Sequence, residues 1–309
     1  MSYLLSLKKG GLVGKNTFNS MFKLLRIKDW IKNLFIFLPA FFAGDLFVSN
    51  IYLLILPFIS FCFFASAVYI INDVNDVELD RIHPTKCNRP IASGKISVPV
   101  ATSTAIILLL LGTILAFFAD KTMHLLIVLL IYLIINLGYS FGLKRIGILD
   151  IIILSSGFVL RVKAGSIIAG VPLSEWLIVM VFLLAMFMSI AKRRDDVMLK
   201  LSTGKVMRES INGYTIEYLN ILLALFSAII IVAYIMYTIS PDVQSRMGTN
   251  TVYYTCVFVI AGILRYLQIV LVLNQAGSPT EILYKDRFVQ ITIILWIIAF
   301  YVILYLRNA

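Results

Sequence analysis

Residues 51–81 read IYLLILPFISFCFFASAVYIINDVNDVELDR. The first 21 positions carry no charge, and four acids, Asp73, Asp76, Glu78 and Asp80, then fall within eight residues. A run of that length matches the roughly 20 residues an α-helix needs to cross a hydrocarbon core about 30 Å thick. Carboxylates beside lipid are costly to keep, so an acidic cluster at the end of such a run marks a polar site. The pattern predicts a membrane helix that opens into a cation-binding segment.

The rest of the chain fits that reading. Its 309 residues are 61% hydrophobic and 14% charged, with a mean hydropathy of +0.96, which no water-soluble fold could hide. Apolar runs near 31–48, 51–72, 99–119, 123–141, 147–169, 173–191, 214–240, 251–273 and 288–306 predict an all-α polytopic bundle of about nine transmembrane helices. Barrel strands would be shorter and would alternate in polarity. Pro39 and Pro57 are expected to kink their spans, because proline lacks a backbone donor. Residues 1–22 hold Lys8, Lys9 and Lys15 and no cleavable signal pattern, so they are expected to form a cytoplasmic tail ahead of one catalytic membrane domain over 23–309.

Orientation follows from the basic residues. With these spans, 21 of the 27 Lys and Arg residues fall on one side, while Lys121, Arg246 and Arg307 fall on the other. The positive-inside rule then places the amino terminus and the acidic cluster in the cytoplasm, in a multi-pass protein of the cell (inner) membrane, with the carboxyl terminus opposite. The net charge of +11 therefore reflects topology, and its partners are anionic headgroups or phosphate substrates rather than nucleic acid. Cys62, Cys87 and Cys256 show no CxxC or Cys/His spacing that could hold zinc, and His83 and His124 are isolated.

If the helix continues past Ile71, Asn72, Asp73, Asp76 and Asp80 share one face at 3.6 residues per turn, with Glu78 pointing elsewhere. Three carboxylates and a carboxamide oxygen repel one another when empty and suit a hard cation such as Mg2+ shared with substrate phosphates. Arg81, Lys86 and Arg89 follow among turn residues up to Gly94. Metal plus cations make a diphosphate site, able to stabilise a leaving diphosphate as charge develops on it.

The run Asn72-Asp73-x-x-Asp76-x-x-x-Asp80 followed by Arg81 resembles the first aspartate-rich motif of the UbiA superfamily of intramembrane prenyltransferases. More narrowly, Asn72 to Gly94 resembles the decaprenyl-phosphate phosphoribosyltransferases, with further agreement at Trp30–Leu34, Tyr139–Lys144, Gly157–Arg161, Gly170–Trp176, Lys192-Arg193 and Leu264–Tyr266. The resemblance implies a nine-helix bundle that uses Mg2+, held by Asp73, Asp76 and Asp80. Where aromatic prenyltransferases of this superfamily carry a second Asp-x-x-x-Asp motif, this chain has a polar loop reading Lys192-Arg193-Arg194-Asp195-Asp196. The phosphoribosyl-transferring relatives have Lys-Arg-x-x-Glu there, so Lys192 and Arg193 match and Asp196 replaces the glutamate. A cationic second loop suits a donor with an extra phosphate, since arginine binds phosphate oxygens in a forked geometry.

The reaction so implied joins a polyprenyl phosphate, entering from the bilayer, to the anomeric carbon of phosphoribosyl diphosphate, releasing diphosphate. Asp73, Asp76, Asp80, Lys192 and Arg193 are the expected catalytic set. Lys32, Asn33, Asn72, Arg81, Lys86, Arg89, Tyr139, Lys144, Arg161 and Asp196 are the expected substrate contacts. Arg161 lies about 20 Å along its span from Gly147, so it must face a polar cavity, pair with an acid such as Asp150, or belong to a helix that starts above the lipid. Two other readings stand beside this one: transfer of a prenyl group from a prenyl diphosphate to an aromatic or other small acceptor, and a transporter or lipid-binding membrane protein without catalysis.

Overall fold

A computed structural model describes residues 19–43, 51–83, 85–204, 211, 213–273, 282 and 284–306. Among these, eight helices are long and apolar enough to cross a membrane, and no strand occurs. Helices dominate for a physical reason: within hydrocarbon, every backbone N–H and C=O must find its partner inside the segment. The chain is a multi-pass membrane protein, and its described residues pack into two compact units.

The first unit takes described residues within Met1–Ile36 and Tyr52–Gly142. It contains helical residues 19–25, a 3₁₀ segment that begins at Ile27, and helices α1 (Ile55–Asn75), α2 (Val77–Ile82), α3 (Val98–Ala119) and α4 (His124–Phe141). Its core joins Leu24, Ala67, Ile70, Ile91, Ala105 and Leu108. Gly112 lets α3 approach α1: a Cβ there would stand 2.8 Å from the Phe64 ring. The same crossing is tied by Ser60 Oγ donating to the Gly112 carbonyl at 2.7 Å. The 3₁₀ segment is pinned to α1 at Ser66, which accepts from Trp30 Nε1 at 3.0 Å and donates to the Leu25 carbonyl at 2.7 Å.

The second unit takes described residues within Phe37–Ile51 and Leu143–Ala309. After the short helix Leu38–Phe42 come α5 (Leu149–Ala169), α6 (Glu175–Thr203), α7 (Ile216–Ile239), α8 (Pro241–Met247), α9 (Cys256–Leu267) and α10 (Arg287–Tyr301). Its core is built from Phe187, Ile190, Leu219, Leu223, Ile230 and Tyr266. A second aromatic group, Phe41, Phe42, Trp296 and Phe300, packs around a Trp296–Phe300 contact with ring centroids 5.0 Å apart.

Three expectations change. The span expected at 31–48 is not one α-helix over its described part: Ile27–Phe37 is 3₁₀, only Leu38–Phe42 is α, and residues 44–50 lie outside the described residues. Pro39 occupies the first turn of that short helix, and Pro57 the first turn of α1 behind the 3₁₀ turn Ile51–Leu54. A first-turn N–H has no intrahelical acceptor to lose, so neither proline needs to kink a helix. The Lys192–Asp196 stretch, expected as a loop, is helical within α6. At 29 residues α6 is about 43 Å long, well beyond a hydrocarbon core. No Gly or Pro interrupts it before Gly204, which ends it at φ +68°. Lys8, Lys9, Lys15, Lys205, Arg208 and Arg307, used for the orientation, lie outside the described residues.

Candidate functional site

In the first unit the acidic motif sits at a helix break. α1 ends at Asn75, Asp76 adopts φ −96° and ψ 8°, and α2 begins at Val77. Two hydrogen bonds carry the ladder across the break, from Asp76 N to the Asn72 carbonyl at 2.9 Å and from Asp80 N to the Asp76 carbonyl at 2.8 Å. Asp73 and Asp80 are buried, at 3% and 2% exposure. Their carboxylates converge on one nitrogen: Arg89 Nη1 lies 2.9 Å from Asp73 Oδ1 and 2.6 Å from Asp80 Oδ2. Lys86 Nζ stands 3.9 Å from the other Asp80 oxygen. The turn that follows α2 thus folds its cations back onto the acids that precede it.

Arg26 completes the cluster, and the sequence reading missed it as a site residue. Its Nη2 donates to Asp73 Oδ1 at 2.6 Å, and its guanidinium lies 4.7 Å from the centre of the Tyr69 ring. Burial opposes the charge on Arg26, but the Asp73 carboxylate overrides it and holds the guanidinium above its ordinary pKa. The backbone of Arg26 has φ +50°, a left-handed conformation that costs a non-glycine residue of the order of 1 kcal/mol. That turn joins helical residues 19–25 to the 3₁₀ segment. Basic residues clustered at 23–32 were a topology signal in the sequence, and only the fold separates the one that reaches Asp73.

The donor set tests the expected cation. Two buried hard-oxygen carboxylates aimed at one point fit Mg2+, which is commonly bound through one or two carboxylates together with substrate phosphates. Among the described residues, no group of three acidic, imidazole or thiolate side chains stands close enough together to hold a metal by itself, so phosphate oxygens would have to complete such a site. Asp76 itself is half-buried and accepts from the Asn75 side chain at 3.3 Å. Asn75 also donates to the Ser140 carbonyl at 2.9 Å, tying the motif to the end of α4 beside half-buried Tyr139.

The other expected contacts in this unit differ in character. Arg81 turns away and forms an exposed pair with Glu78 at 2.8 Å. Asn72 is half-buried on α1. Lys32 bonds to Asp29 at 2.6 Å and lies 5.8 Å from the Tyr69 ring centre, beside the same aromatic face that Arg26 uses. Asn33 is buried and its amide donates to Cys62 Sγ at 3.1 Å.

In the second unit the basic stretch divides by helical phase. Lys192 is exposed, whereas Arg193 and Arg194 are buried. Arg193 Nε donates to Asp150 Oδ2 at 2.5 Å with both side chains fully buried, and Nη1 reaches Asp196 at 3.3 Å. Asp150 also accepts from the Tyr214 hydroxyl at 3.3 Å, and that hydroxyl accepts from Ile148 N. Burial raises the Tyr214 pKa, which keeps the phenol protonated as a donor to Asp150. Arg194 Nε donates to the Asn220 side chain at 2.7 Å. Asp150 therefore pairs with Arg193, while Arg161 donates to the Gly157 carbonyl at 2.7 Å and lies 5.3 Å from the centre of the Phe158 ring. Lys144 lies in the 3₁₀ turn Leu143–Arg145 and is half-buried.

A polytopic helical fold with a carboxylate–guanidinium cluster where a membrane helix breaks defines an intramembrane protein with a charged site at a helix end. The chain belongs to the UbiA prenyltransferase family, whose model matches residues 33–202. It is 33% identical over 295 residues to decaprenyl-phosphate phosphoribosyltransferase of Corynebacterium glutamicum, covering 94% of this chain and 89% of the relative. It is 35% identical to the Mycolicibacterium smegmatis protein of the same name, covering 92% of each. Among solved structures, a UbiA homolog from Archaeoglobus fulgidus bound to DMAPP and Mg2+ matches with a TM-score of 0.69 at 22% identity, covering 92% of this chain and 98% of that one.

Proposed function

We propose that the chain transfers a 5-phosphoribosyl group from phosphoribosyl diphosphate to a polyprenyl phosphate at the membrane, with Mg2+, releasing diphosphate. The observation that carries this reading is the 33–35% identity, over nearly the whole chain, to decaprenyl-phosphate phosphoribosyltransferases. A lipid phosphate oxygen forms the new bond to the ribose anomeric carbon as the bond to diphosphate breaks, and the leaving group takes the electron pair. The lipid phosphate is already anionic near neutral pH, so the protein needs no strong base and works by positioning and charge stabilisation.

Asp73 and Asp80 would hold the Mg2+, which when bound supplies charge neutralisation to the diphosphate. Arg26, Lys86 and Arg89 surround those carboxylates and supply the remaining positive charge. Asp76 is kept as a candidate contact to the metal through its place in the motif. On α6 the exposed Lys192 is the side chain suited to meet a phosphate, and Arg193 acts as the positioning residue that fixes this turn through Asp150. Tyr139, Lys144, Asn72, Asn33, Lys32, Arg81, Arg161 and Asp196 remain candidate contacts from the motif match. We place the acidic motif on the cytoplasmic side, where the basic residues concentrate.

The test is product identity. Purified protein with Mg2+ receives either phosphoribosyl diphosphate and a polyprenyl phosphate, or a prenyl diphosphate and an aromatic acceptor, and lipids are read by mass spectrometry. A phosphoribosylated lipid is expected only in the first reaction. Prenylated acceptor without phosphoribosylated lipid would overturn the assignment in favour of prenyl transfer.

A further inference from the structure

A cavity of about 270 Å³ lies in the second unit, at the end away from the Arg193–Asp150 pair. Leu177 of its wall and Arg193 are sixteen residues apart on α6, about 24 Å, which approaches the thickness of a hydrocarbon core. The cavity is walled by the turn between α5 and α6, the carboxyl-terminal end of α7, α8, and the short helix Leu38–Phe42.

Its polar groups point to one kind of ligand. Arg246 is the charged side chain of the lining, and no acid lines the cavity. The guanidinium, exposed at the edge of the cavity, donates from Nε to the Asp242 carbonyl at 3.1 Å and from Nη1 to the Pro172 carbonyl at 2.9 Å, and it makes no ion pair among the described residues. Tyr237 is 2% exposed and lines the cavity. A phenol on a cavity wall can donate its O–H to an oxygen of a bound group. Tyr237 and Arg246 line the same cavity. Ser174, whose side chain makes no capping hydrogen bond at the start of α6, adds a third donor. The remaining wall is apolar, including Phe42, Leu177 and Met247.

We propose that this cavity binds a phosphate-type anion, supplied by the headgroup of an anionic phospholipid at the membrane surface opposite the Arg193–Asp150 pair. Arg246, Tyr237 and Ser174 would donate to the phosphate oxygens, and the apolar wall would meet the first methylenes of the lipid. The volume, about nine water molecules' worth, fits a headgroup and not a whole lipid. This site is separate from the transfer chemistry, so its occupancy is independent of which donor the enzyme uses.

The experiment uses the full chain purified in a neutral detergent, with dioleoyl phosphatidylglycerol, dioleoylglycerol or inorganic phosphate added separately. Native mass spectrometry reads retained lipid, and thermal melts read stabilisation. Retention of phosphatidylglycerol over dioleoylglycerol is expected, weakened about tenfold in Arg246→Gln and less in the near-isosteric Tyr237→Phe, with Arg246→Lys intermediate. Transfer activity should be unchanged in all three. Equal retention by the wild type and both Arg246→Gln and Tyr237→Phe would overturn the proposal, as would equal retention of dioleoylglycerol. Stabilisation by inorganic phosphate alone, matching that by phosphatidylglycerol, would move the ligand into water and overturn the lipid source.

Discussion

Arg26 Nη2 lies 2.6 Å from Asp73 Oδ1, a contact that spans 47 residues and shares its oxygen with Arg89 at 2.9 Å. One carboxylate oxygen thus joins three segments: the turn ahead of the 3₁₀ segment, the end of α1, and the turn behind α2. Each guanidinium offsets part of the cost of burying Asp73, and Arg89 does the same for Asp80. The acids at this helix end are not mutually repelling, because the chain supplies cations at the point where they converge.

From this follows a graded outcome for three variants. Asp73→Asn keeps the shape but leaves Arg26 and Arg89 facing a neutral amide, and turnover should fall by about 10²-fold or more. Arg26→Lys keeps the charge and loses the fork, so a loss of roughly tenfold is expected. Arg26→Gly removes the guanidinium while relieving the left-handed backbone, so it should lose as much turnover as Arg26→Ala yet melt at a higher temperature. Single-turnover assays beside thermal melts in the same detergent separate the two effects. Unchanged turnover in Arg26→Gly would remove Arg26 from the site.

The buried Asp150–Arg193 pair makes a different prediction. Removing one partner leaves a fully buried charge with only its weaker contact, Asp196 for Arg193 or Tyr214 for Asp150, so a cost of up to about 3 kcal/mol is expected for Asp150→Ala or Arg193→Met alone. The double variant should be more stable than either single one, as a double-mutant cycle in urea would record. Turnover discriminates roles: a positioning Arg193 allows the double variant to recover part of the activity that the singles lose. Failure of the double variant to exceed Arg193→Met in both stability and turnover would instead make Arg193 a direct substrate contact.

Packing of α1 on α3 depends on a missing side chain. A Cβ at Gly112 would sit 2.8 Å from the Phe64 ring and 3.3 Å from the Ser60 carbonyl. The ring can shift for a methyl group, so Gly112→Ala should cost about 1 kcal/mol, while Gly112→Leu should cost about 3 kcal/mol and break the Ser60–Gly112 hydrogen bond. Close backbone approach at small residues is a common source of helix association in membranes. Melting temperatures of the two variants, with Phe64→Leu added to make room, check the cause: the added change should recover most of the loss in Gly112→Leu.

These outcomes also mark what the sequence could disclose. Apolar runs of about 20 residues predict the helical membrane class directly, because the bilayer imposes that length. Hydropathy stops at Ala191, whereas α6 continues for about three further turns to Thr203 on helix-compatible polar residues, so Lys192–Asp196 reads as a loop although it is helix. The acidic motif was legible as a cation site from residue type and spacing. The break at Asp76 was not, since no proline or glycine marks it. Arg26 and Asp150 were hidden for a simpler reason. Their partners lie 47 and 43 residues away, and no local pattern carries that distance.

Asp286 gives the fold a defined acid limit. Its carboxylate accepts from Arg265 Nη2 at 2.7 Å and caps α10 by accepting from Val289 N at 2.9 Å. The Arg265 hydrogen bond is the largest cause holding the Asp286 pKa below the ordinary carboxylate value; burial opposes it and the Val289 N–H adds to it. A depressed folded pKa means that the unfolded chain takes up its proton first, near pH 4, and the folded chain only at lower pH. The stabilisation is therefore fully present above about pH 5 and is lost as pH falls through the folded value. Replacing the pair's acid by Asp286→Asn should lower stability by about 1–2 kcal/mol at neutral pH, through the cap and the charge-assisted bond. The gap between wild type and variant should stay flat from pH 8 to about pH 5 and close below pH 4, in melts at constant ionic strength. A gap that is constant down to pH 3 would show that the Asp286 carboxylate charge does not contribute and that only the amide-compatible cap matters.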